Sequence, residues 1–122
     1  MTVADIHEVA LLVFNENFPK IQEAARDEAR TRVNAFISAL DAKLSQNVPT
    51  EHLKKFETPE IQHALNEAVQ AAALKDDEGL RSILAKLLCE RVKTESDLSA
   101  IVYSEAISTV GKLTIRSRKN AG

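Results

Sequence analysis

The sequence predicts an all-α fold, a helical bundle of about five helices with one long spine helix. Apolar residues recur at three- and four-residue steps along most of the chain, which is the spacing of one helix face. Alanine, leucine, glutamate and lysine are abundant, and these residues have high helix propensity. The chain holds only three Gly, three Pro and 4% aromatic residues, which argues against a β-sandwich or a β-barrel.

The totals are those of one globular domain. The 122 residues are 44% hydrophobic and 28% charged, a globular rather than a disordered composition. We expect a single helical domain over residues 1–114 and a basic, disordered tail over residues 115–122. The formal net charge of −2 predicts no general attraction of the whole chain to nucleic acid.

Cysteine usage and hydropathy suggest where the chain resides. A single cysteine, Cys89, excludes an internal disulfide and fits a reducing cytosol. The apolar run at residues 11–14 is too short for a secretory signal core or a membrane span. We therefore expect a cytoplasmic protein that does not interact with membranes.

A first helix begins after Thr2, with Asp5 as its capping-box partner. Its apolar face is widened by Leu11 and Leu12 beyond what one core contact needs. A helix that is apolar over most of its circumference is buried on more than one side. The second side could face another subunit or a neighbouring loop of the same chain, and the sequence leaves both open. The regular positions of the apolar face are Ile6, Val9, Ala10, Val13 and Phe14.

A second, long helix is predicted from Pro19 to about Gln46. A helix of this length in a small protein typically forms the spine of a bundle or the strut of a dimer. Its apolar stripe consists of Ile21, Ala25, Ala29, Val33, Phe36, Leu40 and Leu44. Its opposite face mixes acids and bases, and consists of Glu23, Arg26, Asp27, Arg30, Asp41 and Lys43. From the first two helices we predict an interface formed by Leu11, Leu12, Phe14, Phe18, Val33, Phe36 and Leu40.

A central helix follows a connector at residues 47–50 and a short helical turn at residues 51–56. Thr58 is a suitable N-cap, and Pro59 suits the first helical position. The helix is predicted to end near Lys75, and its apolar face is Ile61, Leu65, Ala68, Val69 and Ala72. Three consecutive alanines at residues 71–73 keep this helix thin, so that another helix can approach it closely.

Two more helices complete the bundle. The acidic turn at residues 76–79 is interpreted as a helix cap, because it lacks the spaced ligands of a calcium loop. A helix over residues 80–93 and a second capping box at residues 94–97 follow. The last helix is predicted to stop at Gly111. Its apolar residues are Leu98, Ile101, Val102, Ala106, Ile107 and Val110.

Several strings in this sequence resemble those of an uncharacterised bacterial all-helical family. The strings are ALNEAVQAA at residues 64–72, LLCERV at 87–92, SEAI at 104–107 and KLT at 112–114, with NFPK at 17–20. The resemblance extends over residues 9–114 and implies a helical fold. It carries no catalytic signature and implies no activity. Family members continue with further helical sequence after KLT, where this chain ends in a short basic tail.

Residues able to support catalysis or bind metal occur only as isolated matches. Glu60 and His63 form one Glu-x-x-His pair, whereas a di-iron bundle needs two such pairs and two further carboxylates. Cys89 follows two leucines and is interpreted as a buried, inert thiol. Glu105 is expected to pair with a base such as Arg91. We assign no catalytic residue and expect no metal or cofactor.

Two functional hypotheses follow. The first is a protein–protein interaction or oligomerisation module that forms homodimers or larger assemblies and could bind another protein. Such a module could regulate or inhibit a larger bacterial or phage protein assembly, as in bacterial conflict with phage. The alternative is a small nucleic-acid-binding protein that contacts phosphates through Lys112, Arg116, Arg118 and Lys119. The acidic body of the chain favours the first hypothesis.

Overall fold

The computed structural model describes residues 2–17 and 23–121, with side chains up to residue 112. The described residues form five α-helices and one 3₁₀ helix and no strand, so the predicted all-α class is confirmed. The helices are α1 (Val3–Asn17), α2 (Glu23–Asn47), the 3₁₀ helix (Thr50–Glu57), α3 (Pro59–Leu74), α4 (Glu78–Lys93) and α5 (Asp97–Ala121).

A single spine helix is not confirmed, because α2 and α5 are both 25 residues long. The centre of the bundle is instead the shorter helix α3, which contacts every other helix. Around it α1 packs on α2, α2 on α4 and α4 on α5, so that α1 and α5 lie at the two ends of an open ring. Half of the α3 residues are buried, namely Ile61, Ala64, Leu65, Ala68, Val69, Ala71, Ala72 and Ala73.

Side-chain caps fix where three helices begin. The Thr2 amide donates to Asp5 Oδ2 at 2.7 Å and the Asp5 amide donates to Thr2 Oγ1 at 3.2 Å, which is a complete capping box. Asp77 Oδ1 accepts from the Leu80 amide at 3.0 Å, so the acidic turn caps α4. Ser96 Oγ accepts from the Ser99 amide at 3.4 Å at the start of α5. Thr58 occupies the predicted N-cap position of α3, but its hydroxyl donates to the Lys55 carbonyl at 2.7 Å and does not cap the helix.

The prediction that Gly111 ends the last helix is wrong, because α5 continues through it. Gly111 is buried against α3, where a Cβ at this position would lie 4.0 Å from the Cβ of Ala71. The thin alanine segment of α3 and this glycine therefore allow the two helix backbones to approach closely. The division into a domain of residues 1–114 and a tail of residues 115–122 stays a prediction.

The apolar stripe of α2 is buried from Ala29 onward, while Ala25 is exposed. Ile37, which does not belong to the predicted stripe, is also buried. Phe18, Pro19 and Ile21 lie outside the described residues. Among the helices that are described, none combines the length and the apolarity that crossing a membrane requires.

Candidate functional site

The solvent face of α5 carries three large aliphatic side chains next to one another. Leu98 is 72% exposed, Ile101 is 61% exposed and Val102 is 57% exposed. Their spacing of three and four residues places them on one side of the helix, and we call them the α5 patch. Of the apolar residues predicted for the last helix, these three are exposed, whereas Ile107 is buried.

The reason lies in the residues that α5 turns towards its own bundle. At three- and four-residue steps from the buried Ile107, Ala100, Ser104 and Gly111 are small and at least partly buried, and Val110 is partly buried against the core. Small side chains suit the close approach to the alanines of α3. The three residues of the α5 patch lie on the opposite side of the helix and therefore point towards solvent.

A hydrogen bond from α4 helps to fix which side of α5 faces the bundle. Arg91 Nε donates to Ser104 Oγ at 2.9 Å in a partly buried position. The expected pairing of Arg91 with Glu105 is therefore wrong, and Glu105 is exposed. Ser104 and Glu105 are adjacent on the helix, so the bond to Ser104 keeps Glu105 on the solvent side, at one end of the α5 patch. Asp97 is exposed at the other end of the patch.

Within the described residues two other large aliphatic residues are exposed, and neither has a second exposed large aliphatic residue one turn away. Leu12 of α1 is 59% exposed, and one turn away from it lie the exposed residues Glu8, Asn15 and Glu16. Ile83 of α4 is also exposed, between Gly79 and Lys86 on the same side of its helix. Single exposed aliphatics are ordinary on a protein surface, whereas a contiguous apolar patch marks an interaction site.

The interface residues predicted from α1 and α2 occupy several environments. Phe14, Val33, Phe36 and Leu40 are buried in the core of the chain, where they hold α1, α2 and α3 together. Leu11 is partly buried against that core, Leu12 is exposed, and Phe18 lies outside the described residues. An interface between chains at these positions stays a prediction.

A cleft of about 420 Å³ adjoins the patch, between the 3₁₀ helix, the start of α3 and the α4–α5 turn. It contains two bases, Lys55 and Arg91, and three acids, Glu60, Glu95 and Asp97. Lys55 Nζ donates to the Thr94 carbonyl at 3.0 Å, and Arg91 is bound to Ser104. Both bases hydrogen-bond to neutral groups and keep their positive charge, so the three acids of the cleft exceed its bases by one.

The thiol and the histidines occupy structural positions. Cys89 is 3% exposed, and burial raises its pKa to about 11, which confirms the prediction of a buried thiol. His63 Nε2 lies 2.8 Å from Glu67 Oε1 on the surface of α3. Within the described residues, no three side chains of His, Cys, Asp or Glu come together as metal ligands would.

One further histidine–carboxylate pair links α1 and α2. His7 Nδ1 lies 3.7 Å from Asp41 Oδ2, and the other carboxylate oxygen of Asp41 is buried without a hydrogen-bond partner. Desolvation raises the pKa of Asp41, and the nearby His7 partly counteracts this shift. The pair has no nucleophile among its described contacts, so it is a helix–helix contact that carries a desolvation cost.

The residues of the nucleic-acid alternative lie at the end of α5. Lys112 is exposed. The side chains of Arg116, Arg118 and Lys119 lie outside the described residues, so their role in binding phosphates stays a prediction.

A model of an uncharacterised protein family matches residues 1–117. The chain belongs to this family. The match confirms the resemblance to an uncharacterised helical family. It covers α1 to α4 and most of α5. No curated protein and no solved structure matches the chain. The family supplies no activity, so the function is argued from the surface of the molecule.

Proposed function

We propose that the protein is a protein–protein interaction module that binds through the α5 patch. The observation that carries this proposal is the outward orientation of Leu98, Ile101 and Val102, while Ile107 and several small residues of the same helix contact the bundle. The bundle does not need these side chains for its own packing. A partner that covered them would remove a contiguous apolar surface from water.

The free energy gained by burying the α5 patch is sufficient for the centre of an interface. Complete burial of a Leu, Ile or Val side chain contributes about 1.5–3 kcal/mol relative to full exposure. The three residues of the α5 patch are already partly covered, so their burial supplies on the order of 3–5 kcal/mol before the costs of association. Small clusters of this kind dominate the affinity of many protein complexes, while the surrounding contacts exclude water.

Assembly with a second copy and assembly with another protein are both forms of this function. A cytoplasmic module of this kind could act as a regulator or inhibitor of a larger bacterial or phage assembly by occupying a surface that the assembly needs. Among the described side chains, up to residue 112, no arrangement around a nucleophile supports a catalytic role.

Photo-crosslinking tests the proposal directly. A photoreactive amino acid replaces Ile101 in one variant, Leu12 in a second and the exposed, polar-flanked Asp27 in a third. The proposal predicts higher-mass protein adducts from position 101, in the purified protein or in the host cell, and few from position 27. Adducts from position 12 would support the predicted α1 interface. Equal patterns from positions 101 and 27 would contradict the α5 assignment.

A further inference from the structure

We infer that the partner of the α5 patch is a basic amphipathic helix of another protein and not a second copy of this chain. This inference rests on the proposed function, because it specifies the chemistry of what binds there. It is carried by the charges at the two ends of the patch. Asp97 and Glu105 are both exposed, and neither forms an ion pair with a described residue.

The spacing of these acids defines a two-point charge pattern. Asp97 precedes Ile101 by four residues and Glu105 follows it by four, so both carboxylates lie on the helix face that carries the patch. At 1.5 Å per residue they are separated by about 12 Å along the helix axis. Glu95, whose exposed carboxylate lies 3.9 Å from His52 Nε2 in the turn before α5, is a further acid at this end. The nearest exposed base on this face is Lys112, about two turns beyond Glu105.

A second copy of the chain fits this pattern poorly. If two α5 helices pair antiparallel about Ile101, Asp97 of one copy faces Glu105 of the other. If they pair in parallel, each acid faces its own equivalent. Both arrangements place like charges at the rim of a small apolar contact, which is unfavourable. A shifted antiparallel register can bring Lys112 opposite Asp97, but it moves the two aliphatic patches apart.

A complementary partner follows from the same geometry. A helix that presents Lys or Arg at two positions about eight residues apart, with aliphatic residues between them, places a base against each acid. Its aliphatic residues then cover Leu98, Ile101 and Val102. The apolar centre supplies affinity, and the charged rim selects the partner and its register.

Two labelled synthetic helical peptides provide the test. Both carry the same aliphatic stripe, and one has Lys at the two flanking positions where the other has Glu. Fluorescence anisotropy at low salt measures their binding to the full-length protein. We expect the Lys peptide to bind at least about tenfold more tightly than the Glu peptide, and the difference to shrink at high salt.

Three variants separate the apolar and charged contributions. Ile101→Ser should weaken binding of both peptides about tenfold, since it removes the centre of the patch. Glu105→Lys should reduce the preference for the Lys peptide to within about threefold. Asp27→Lys makes the same charge change on α2 and should leave the preference unchanged. Wild-type protein that binds the two peptides equally, or a preference that Glu105→Lys leaves intact, overturns the inference.

The outcomes also distinguish the inference from the proposed function. Equal binding of both peptides that is lost in Ile101→Ser means that the patch binds protein without charge selection, so only the inference fails. A solution mass above the monomer by light scattering, returned to the monomer by Ile101→Ser, identifies a second copy as the occupant and again overturns only the inference. If neither peptide binds and Ile101→Ser leaves the solution mass unchanged, both fail.

Discussion

Helices α3 and α5 use their aliphatic residues in opposite ways. In α3 every large aliphatic of the predicted face is buried, and the helix touches all its neighbours. In α5 the large aliphatics Leu98, Ile101 and Val102 are exposed, and Ile107 contacts the bundle among small residues. The same residue types therefore stabilise the fold in α3 and form a candidate binding surface in α5. The difference arises from position in the bundle, because α3 has neighbours on every side whereas α5 packs on α3 and α4.

A pair of leucines gives the largest contrast between the two helices. Leu65 of α3 is fully buried, so Leu65→Ala should lower the free energy of unfolding by about 2–5 kcal/mol. Leu98→Ala in α5 should change it by less than about 0.5 kcal/mol. Urea denaturation followed by circular dichroism measures both values. Similar losses from the two variants would show that Leu98 belongs to the core.

A pair of isoleucines tests the two sides of α5 itself. Ile107 is fully buried, so Ile107→Val should cost about 0.5–1.5 kcal/mol of stability. Ile101→Val makes the same chemical change on the exposed side and should be close to neutral. The urea midpoints of the two variants show which side of α5 is buried. A greater loss of stability for Ile101→Val than for Ile107→Val would mean that Ile101 lies on the buried side.

Substitution of Gly111, at the contact between α3 and α5, should have a smaller effect on stability and one of opposite sign. A Cβ at this position meets Ala71 at 4.0 Å, an ordinary van der Waals distance. Gly111→Ala should therefore stabilise the protein by about 0.5–1 kcal/mol, because alanine is the better helix former. Gly111→Leu is the matched control and should destabilise, since the contact has no room for a longer side chain. A destabilising Gly111→Ala, measured by thermal unfolding, would mean that the helices are closer than described.

The smallest effect is expected outside both helices, at the α1–α2 contact. Burial raises the pKa of Asp41, so the folded state binds this proton more tightly than the unfolded state does. The group's contribution to stability is therefore present at low pH and is lost as the pH rises through the carboxyl range. Asp41→Asn should raise the urea midpoint slightly at pH 7 and not at roughly pH 3. A variant that is less stable at pH 7 would show that the contact with His7 outweighs desolvation.

The sequence predicted the helices and several of their caps, because these depend on local patterns, although the Thr58 hydroxyl does not cap α3. Thr2 with Asp5, Asp77 and Ser96 act within a single turn, and their residue types are sufficient to predict their roles. The rotation of α5 was not predictable in the same way. Leu98, Ile101 and Val102 have helical spacing, and such spacing does not tell which face a neighbouring helix will cover.

A better signal was present in the small residues. Three alanines at residues 71–73 indicated a close helix neighbour, and Gly111 and Ser104 are the residues that can meet such a surface. Matching small residues on one helix with small residues on another would have placed the inner face of α5 correctly. In α2 the apolar spacing of Phe36 and Leu40 corresponds to the core of the chain itself, and spacing alone does not distinguish a core face from an interface with another chain.

The central claim is that the α5 patch faces solvent in the folded protein, and thiol labelling tests it most directly. In the variant Ile101→Cys, the new thiol and the native Cys89 react with a thiol reagent in the same folded molecule. Cys89 is buried with a pKa of about 11, so at pH 8 its thiolate is scarcer than that of an exposed cysteine by roughly two orders of magnitude. The account predicts one fast equivalent from position 101 and one slow equivalent from Cys89, at every protein concentration. Two equally slow equivalents would contradict it.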